Sequence, residues 1–369
     1  MKKAIDFFKK DPVLAISGIL AFFSLILVFP DKEYIDYLDF RVLALLFALM
    51  CVMKGYQEIG LFNQLAVMIL KRTKNTRQLA AVLVLLCFFF SMLITNDVAL
   101  ITFVPFTILV LDLVGQKKLM IYIIVLQTIA ANLGSMLTPI GNPQNLYLYN
   151  LSGMSFADFT LTLLPYSLLS LLLLIFSFYM KKKEHVSLEN IASEKTDMDK
   201  RAVIIYTLLF LICLGCVLHL VSWQAVLAIT LIVLLLYNRK LLLQADYGLL
   251  LTFVFFFIFI GNMGRIPSVS DLLSYVLAGR ELLISVLASQ VISNVPAAIL
   301  LSGFTSDYTP LLIGVNLGGL GTLIASLASL ISYKQYAAVE GCDKGRYMIY
   351  FTAMNLLFLA VLLIAAYLF

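Results

Sequence analysis

The residues best suited to chemistry form a short polar run, Thr95-Asn96-Asp97, inside the otherwise apolar stretch 79–112. A hydroxyl, an amide and a carboxylate in a row can coordinate a small cation, accept hydrogen bonds or carry a proton. No basic residue in that stretch can neutralise Asp97. A carboxylate at the centre of a membrane helix costs about 2.5–3.5 kcal/mol on insertion scales, so such a residue is a candidate functional group. A second polar run, Ser293-Asn294, interrupts the apolar stretch 281–304. Two longer breaks accompany them. "TPIGNPQN" at 138–145 contains Thr138, Gly141, Asn142 and Asn145, and "LGGLGT" at 317–322 contains Gly318 and Thr322. Unwound backbone frees carbonyl oxygens, which suit Na+, and exposes helix N-termini, which suit anions.

These polar runs must be held by helices that cross lipid. Of 369 residues, 62% are hydrophobic and only 13% are charged. Soluble domains carry about 45–50% apolar and about 25% charged residues. Mean hydropathy is +1.01. The pattern predicts an all-α polytopic membrane protein with about 9 full spans and two re-entrant hairpins. The spans fall at 12–30, 40–54, 119–149, 159–180, 202–220, 223–237, 246–262, 310–333 and 346–368. The arms on either side of Thr95–Asp97, 79–94 and 98–111, read as short for crossings and lack a charged loop between them. They therefore read as a hairpin with the polar run at its tip, and 281–304 reads as its partner with Ser293-Asn294 at the tip. The first apolar run has no small-residue cleavage site after it and reads as a retained helix. With the N-terminus in the cytoplasm, all but four of the 26 Lys and Arg fall inside. That bias sets the orientation and places the polar stretch 181–200 in the cytoplasm.

The two halves of the chain resemble each other. "IAANLGSMLTPIGNPQNL" from Ile129 lies over "IGVNLGGLGTLIASLASL" from Ile313. Asn132 then meets Asn316, Gly134 meets Gly318, Thr138 meets Thr322 and Asn142 meets Ser326. "ITNDVAL" at 94–100 lies over "ISNVPAA" at 292–298, pairing Asn96 with Asn294. "DFRVLALLFAL" at 39–49 lies over "DYGLLLTFVFF" at 246–256. The spans give these repeats opposite orientations. The first occupies 1–180, a cytoplasmic linker covers 181–201, the connecting helix 202–220 supplies the odd crossing, and the second repeat covers 221–369. Inverted repeats with broken helices are the architecture of secondary transporters, whose site lies near the midplane where the repeats meet.

Other chemistries find little support. A hydrolase would want a Ser–His pair, but His185 sits in the linker and His219 near an outer helix end. No H-E-x-x-H occurs. Cys213 and Cys216 form a C-x-x-C inside an apolar helix, where small packing residues are the plainer reading. The expected class is a carrier with no organic cofactor, not an enzyme, and no nucleic-acid partner is expected.

At these motifs the chain resembles the ion transporter superfamily of divalent anion–sodium symporters, citrate transporters, arsenite permeases and a sodium–proton antiporter branch. The resemblance covers about 12–368. It implies that Thr95, Asn96, Ser293 and Asn294 take substrate- and sodium-contacting tip positions. Gly134, Thr138, Asn142, Gly318, Thr322 and Ser326 take broken-helix positions. Na+ is expected near Asn96, Asp97 and Asn294, with Na+ or H+ as the coupling ion. The resemblance also implies a homodimer with a fixed scaffold and a part that moves like an elevator, in the inner membrane of a prokaryote. Asp97 and Val295-Pro296 depart from the third tip residue of the symporters, and "ND" followed by small apolar residues is closer to the arsenite and antiporter branches. The leading expectation is transport of a small anion, a carboxylate such as citrate or a dicarboxylate. Metalloid efflux and cation–proton antiport are the alternatives.

Overall fold

The computed structural model describes residues 12–70, 73–185 and 199–368. The described residues form helices and no β-strand, with one isolated bridge between Asn75 and His185. In the first half these are α1 (Pro12–Leu27), α2 (Phe40–Glu58), α3 (Leu61–Leu70), α4 (Thr76–Ile94), α5 (Asn96–Leu113), α6 (Met120–Ser135), α7 (Pro143–Ser152) and α8 (Phe156–Tyr179). There follow α9 (Lys200–Val217), α10 (Trp223–Tyr237), α11 (Lys240–Leu243), α12 (Tyr247–Gly264) and α13 (Pro267–Leu277). The last are α14 (Glu281–Ile292), α15 (Asn294–Ser302), α16 (Tyr308–Leu317), α17 (Leu327–Ala337) and α18 (Lys344–Leu368).

Local signals account for many of the boundaries. Asp39, Asn75, Ser155, Ser222 and Asp246 each cap a helix by accepting a backbone N–H three residues on, which satisfies a donor that the first turn leaves free. Pro143 and Pro267 open α7 and α13, where a missing N–H costs nothing. Asp39 with Val42 and Asp246 with Leu249 are the same cap at repeat-related positions.

Seven of the described helices are long and apolar enough to cross a membrane, or eight if the bent pair α13–α14 is counted as one span. The chain is a polytopic membrane protein. α6 lies at its centre, with every residue from Tyr122 to Ser135 buried. Against it pack α4, α5, α8, α17 and α18. α1 packs on α12, while α9 and α10 pack on α2.

Several elements differ from the sequence expectation. The arms around Thr95 extend to 19 and 18 residues, about 27–29 Å at 1.5 Å per residue, long enough to pass as spans. The charged flanks that the hydropathy reading excluded, from Thr76 to Gln78 and at Asp112, are helical. The α2 helix runs on to Glu58, and α3 and α13 are additional short helices. The expected spans 119–149 and 310–333 are each broken, at Met136–Asn142 and Gly318–Ser326. The α13–α14 pair bends by 109°.

Two basic segments meet, at the start of α4 and just past the end of α8. The backbone N–H of Thr76 donates to Glu184 O at 2.9 Å, and the Arg77 guanidinium donates to Tyr179 O and Lys181 O, each at 2.9 Å. Separately, Arg265 pairs with Asp31 at 2.7 Å and Glu33 at 3.5 Å. Most of the linker, 186–198, lies outside the described residues.

Candidate functional site

Both polar tips are single-residue breaks with the same backbone. Thr95 between α4 and α5 has φ 72°, ψ 152°, and Ser293 between α14 and α15 has φ 75°, ψ 153°. That region is almost confined to glycine and costs of order 1–3 kcal/mol per residue. A strained conformation repeated at repeat-related positions, where glycine would relieve it, makes both tips candidates for a functional role. The strain is partly offset at Thr95, whose hydroxyl accepts from Val98 N at 3.5 Å. Ser293 makes no such cap. Replacing Ser293 with Gly should therefore raise stability by about 1 kcal/mol, read as a higher unfolding midpoint in detergent. A lower midpoint would show that the serine hydroxyl outweighs the strain.

The tips lead into a buried web of amides. Asn96 Nδ2 donates to Asn132 Oδ1 at 3.0 Å, and Ser326 Oγ donates to the same oxygen at 3.0 Å. Asn316 Nδ2 donates to Asn145 Oδ1 at 2.7 Å, and Asn142 Nδ2 reaches Asn316 Oδ1 at 3.5 Å. Asn132 on α6 thus meets the second break, and Asn316 on α16 meets the first. One further contact recurs as a pair. Thr138 Oγ1 donates to Met92 O, and Thr322 Oγ1 donates to Gln290 O. Asn294 N donates to Ala325 O at 2.9 Å. Helix packing follows the same rule, with α17 against α5 and α7 against α15. The second limb of each broken helix rests on the tip of the other half. Four helix N-termini therefore meet around this web, those of α5, α7, α15 and α17.

The side chain of Asp97 does not join the web, although the residue's backbone N–H donates to Asn96 Oδ1 at 2.9 Å. It opens a cavity of about 300 Å³ whose walls include Thr95, Asn142, Pro143, Lys54, Gln244 and Asp246. Its Oδ1 is buried without a hydrogen-bond partner. It stands in the first turn of α5, where the helix dipole favours a negative charge. Lys54 comes from α2 and forms no ion pair among the described residues. The cavity against the second tip is different. It is about 230 Å³, and Ser326 is the polar side chain among residues such as Val13, Phe256, Val291 and Leu327. The polar chemistry is concentrated on the side of the first tip.

A family model described as Citrate transporter matches residues 9–306. The chain belongs to the citrate transporter family. Relatives include the uncharacterized transporter MJ0456 of Methanocaldococcus jannaschii, 33% identical over 82% of each chain. The inner membrane protein YbiR of Escherichia coli is 33% identical over 84% of each. The silicon efflux transporter LSI3 of Oryza sativa is 32% identical over 46% of this chain and 36% of its own. The protein is a membrane transporter of the citrate transporter type.

In this citrate transporter family member the expected site residues fall into three groups. Thr95, Asp97 and Asn142 line the polar cavity. Asn96, Asn132, Asn145, Ser293, Asn294, Asn316 and Ser326 hold the web, while Thr138 ties the first break to α4 and Thr322 ties the second to α14. Gly134, Gly141 and Gly318 stand where segments press together. A Cβ on Gly134 would be driven into the carbonyl oxygen of Phe88, and one on Gly318 would come 2.7 Å from Ser289 Oγ. Their role in the structure is close approach of helices. Sequence reading missed Lys54 and Asp246, which looked like an ordinary helix-end charge and a cap. It also missed Gln144, 1% exposed, whose amide oxygen and nitrogen both lack partners. The signal for Gln144 was present, since it lies within "GNPQN".

Proposed function

We propose that this transporter moves a small organic carboxylate, of the citrate or dicarboxylate class, together with Na+ or H+. The observation that carries the reading is the cavity lined by Asp97, Lys54 and the N-terminus of α7. Asp97 and Asp246 both line the cavity and would repel an anion, although Asp246 is also engaged as the cap of α12. A cation or proton on Asp97 lowers that repulsion, so its binding and substrate binding strengthen each other by the same factor. Lys54 and the α7 N-terminus then face the carboxylate. A volume near 300 Å³ suits a ligand of this size.

The paired tips, crossed contacts and matched caps support two inverted repeats, with helix limbs that exchange partners between them. Alternating access would move the tips and breaks as a body past α2, in the elevator manner. The web α4–α7 and α14–α17 is the moving part in this reading, and Lys54 belongs to the fixed wall. The same reading places the basic segments and the linker in the cytoplasm of a prokaryote, and the working unit as a homodimer.

A second reading is efflux of a metalloid hydroxy acid, favoured by the similarity to the rice silicon efflux transporter. Lys54 separates the two, because a neutral hydroxy acid needs no ammonium. In proteoliposomes, the expected result is saturable counterflow of citrate or a dicarboxylate. Lys54→Met should raise the half-saturating concentration about ten-fold, the loss of one charge contact of roughly 1.4 kcal/mol. Counterflow of silicic or arsenous acid, unaffected by Lys54→Met, with none for carboxylates, would replace the first reading with the second.

A further inference from the structure

A separate cavity of about 780 Å³ opens where the α5–α6 connection, the end of α8 and the α17–α18 connection meet. Four cations from three chain segments line it: Lys117 and Lys118, Lys181, and Arg346. Lys117 is engaged by Asp112 at 2.7 Å. The Lys181 ammonium lies 4.2 Å from the centre of the Tyr122 ring, in cation–π contact. Lys118 and Arg346 make no ion pair among the described residues. Two carboxylates share the wall, Glu340 and Asp343. Asp343 is already committed, since its Oδ1 accepts the Arg346 backbone N–H at 2.9 Å near the start of α18. Positive charge therefore exceeds negative charge at this rim.

Beside the cations the wall becomes apolar, with Met120, Ile121, Ile349 and Ala353. Ile349 is 75% exposed, and the same side of α18 continues with exposed Ala353, Leu356 and Ile364. A soluble anion would use the rim and leave this track bare. A phospholipid uses both, with its phosphate among the cations and an acyl chain along α18. Basic pockets between membrane helices are suited to anionic headgroups on electrostatic grounds.

We propose that this cavity binds the headgroup of an anionic phospholipid, with one acyl chain lying along α18. The site is distinct from the Asp97 cavity, and the inference does not depend on the transport reading. A lipid there would tie the start of α6 to α8 and α18, the elements that surround the buried α6.

The test uses the purified, delipidated full-length protein in detergent. Phosphatidylglycerol, phosphatidylcholine and glycerol phosphate are titrated separately while thermal unfolding is followed. Phosphatidylglycerol should raise the midpoint in a saturable way, as expected of a ligand that binds only the folded state. Phosphatidylcholine and glycerol phosphate should give no comparable shift. The double variant Lys118→Gln/Arg346→Gln should keep the lipid-free midpoint, because both side chains are exposed. It should need about ten-fold more phosphatidylglycerol for the half-maximal shift. Equal shifts from both phospholipids would overturn the proposal. So would an equal shift from glycerol phosphate, which would mean a soluble-anion site, or an unchanged titration in the double variant.

Discussion

Uptake driven by an imposed Na+ or proton gradient should fall at least about 100-fold in Asp97→Asn, the loss of roughly 2.7 kcal/mol of coupling, while the protein remains folded. The motive is the position of the carboxylate. Its Oδ1 is buried without a partner, and it faces a cavity rather than the amide web. The substitution is nearly isosteric and keeps a carbonyl oxygen, but it cannot ionise. It therefore removes the site's response to a cation or proton with little change in packing. Substrate exchange requires no net movement of the coupling ion and should survive in part. Any pH dependence of wild-type transport that arises from this group should flatten in the variant. The measurement is gradient-driven flux and exchange flux, side by side, across pH. Unchanged gradient-driven flux with an unchanged pH profile would make Asp97 a structural residue.

The second large effect concerns folding. Gly134→Ala should destabilise the protein by about 3 kcal/mol or more, or leave no monodisperse protein after extraction. Gly134 lies on the face of α6 that meets α4, and the added methyl would be driven into the backbone carbonyl of Phe88, with Ser91 Oγ also close at 2.8 Å. A backbone atom in a buried helix pair cannot step aside, and small residues are what allow membrane helices to approach this closely. The repeat-related Gly318→Ala should cost less, about 1–2 kcal/mol, because its overlaps are milder, with Ser289 Oγ at 2.7 Å and Gly314 O and Ser289 Cβ each at 2.8 Å. Unfolding midpoints of the two variants and wild type, measured in one detergent, test the order. A Gly134→Ala midpoint equal to wild type would contradict the close α4–α6 contact.

The membrane class and the positions of the breaks were legible in composition and patterning alone. Apolar composition leaves few alternatives to helices in lipid, because every backbone polar group there must be satisfied within the protein. A polar residue in such a run is costly enough to be visible in one sequence. Hence Thr95–Asp97, Ser293-Asn294 and the two breaks were all legible, and so was the match of Asn132 with Asn316. The arms around Thr95 were harder to delimit, because hydropathy cannot say that a polar flank such as Thr76–Gln78 continues a helix.

Tertiary structure decided which polar residues face one another and which face a cavity. Asn96 and Asp97 are neighbours in sequence, but the strained turn at Thr95 sends Asn96 into the web and leaves Asp97 on the cavity wall. Lys54 reaches that wall from α2, more than forty residues earlier, and Asp246 from the other half of the chain. Neither carries a local signal, because a lysine or an aspartate at a helix end is ordinary. The role of Gly134 was also hidden, since a glycine in a helix reads alike whether it binds a ligand or admits a neighbouring backbone. Composition and periodicity report each residue's own environment, whereas a site is a relation between residues that only long-range packing brings together.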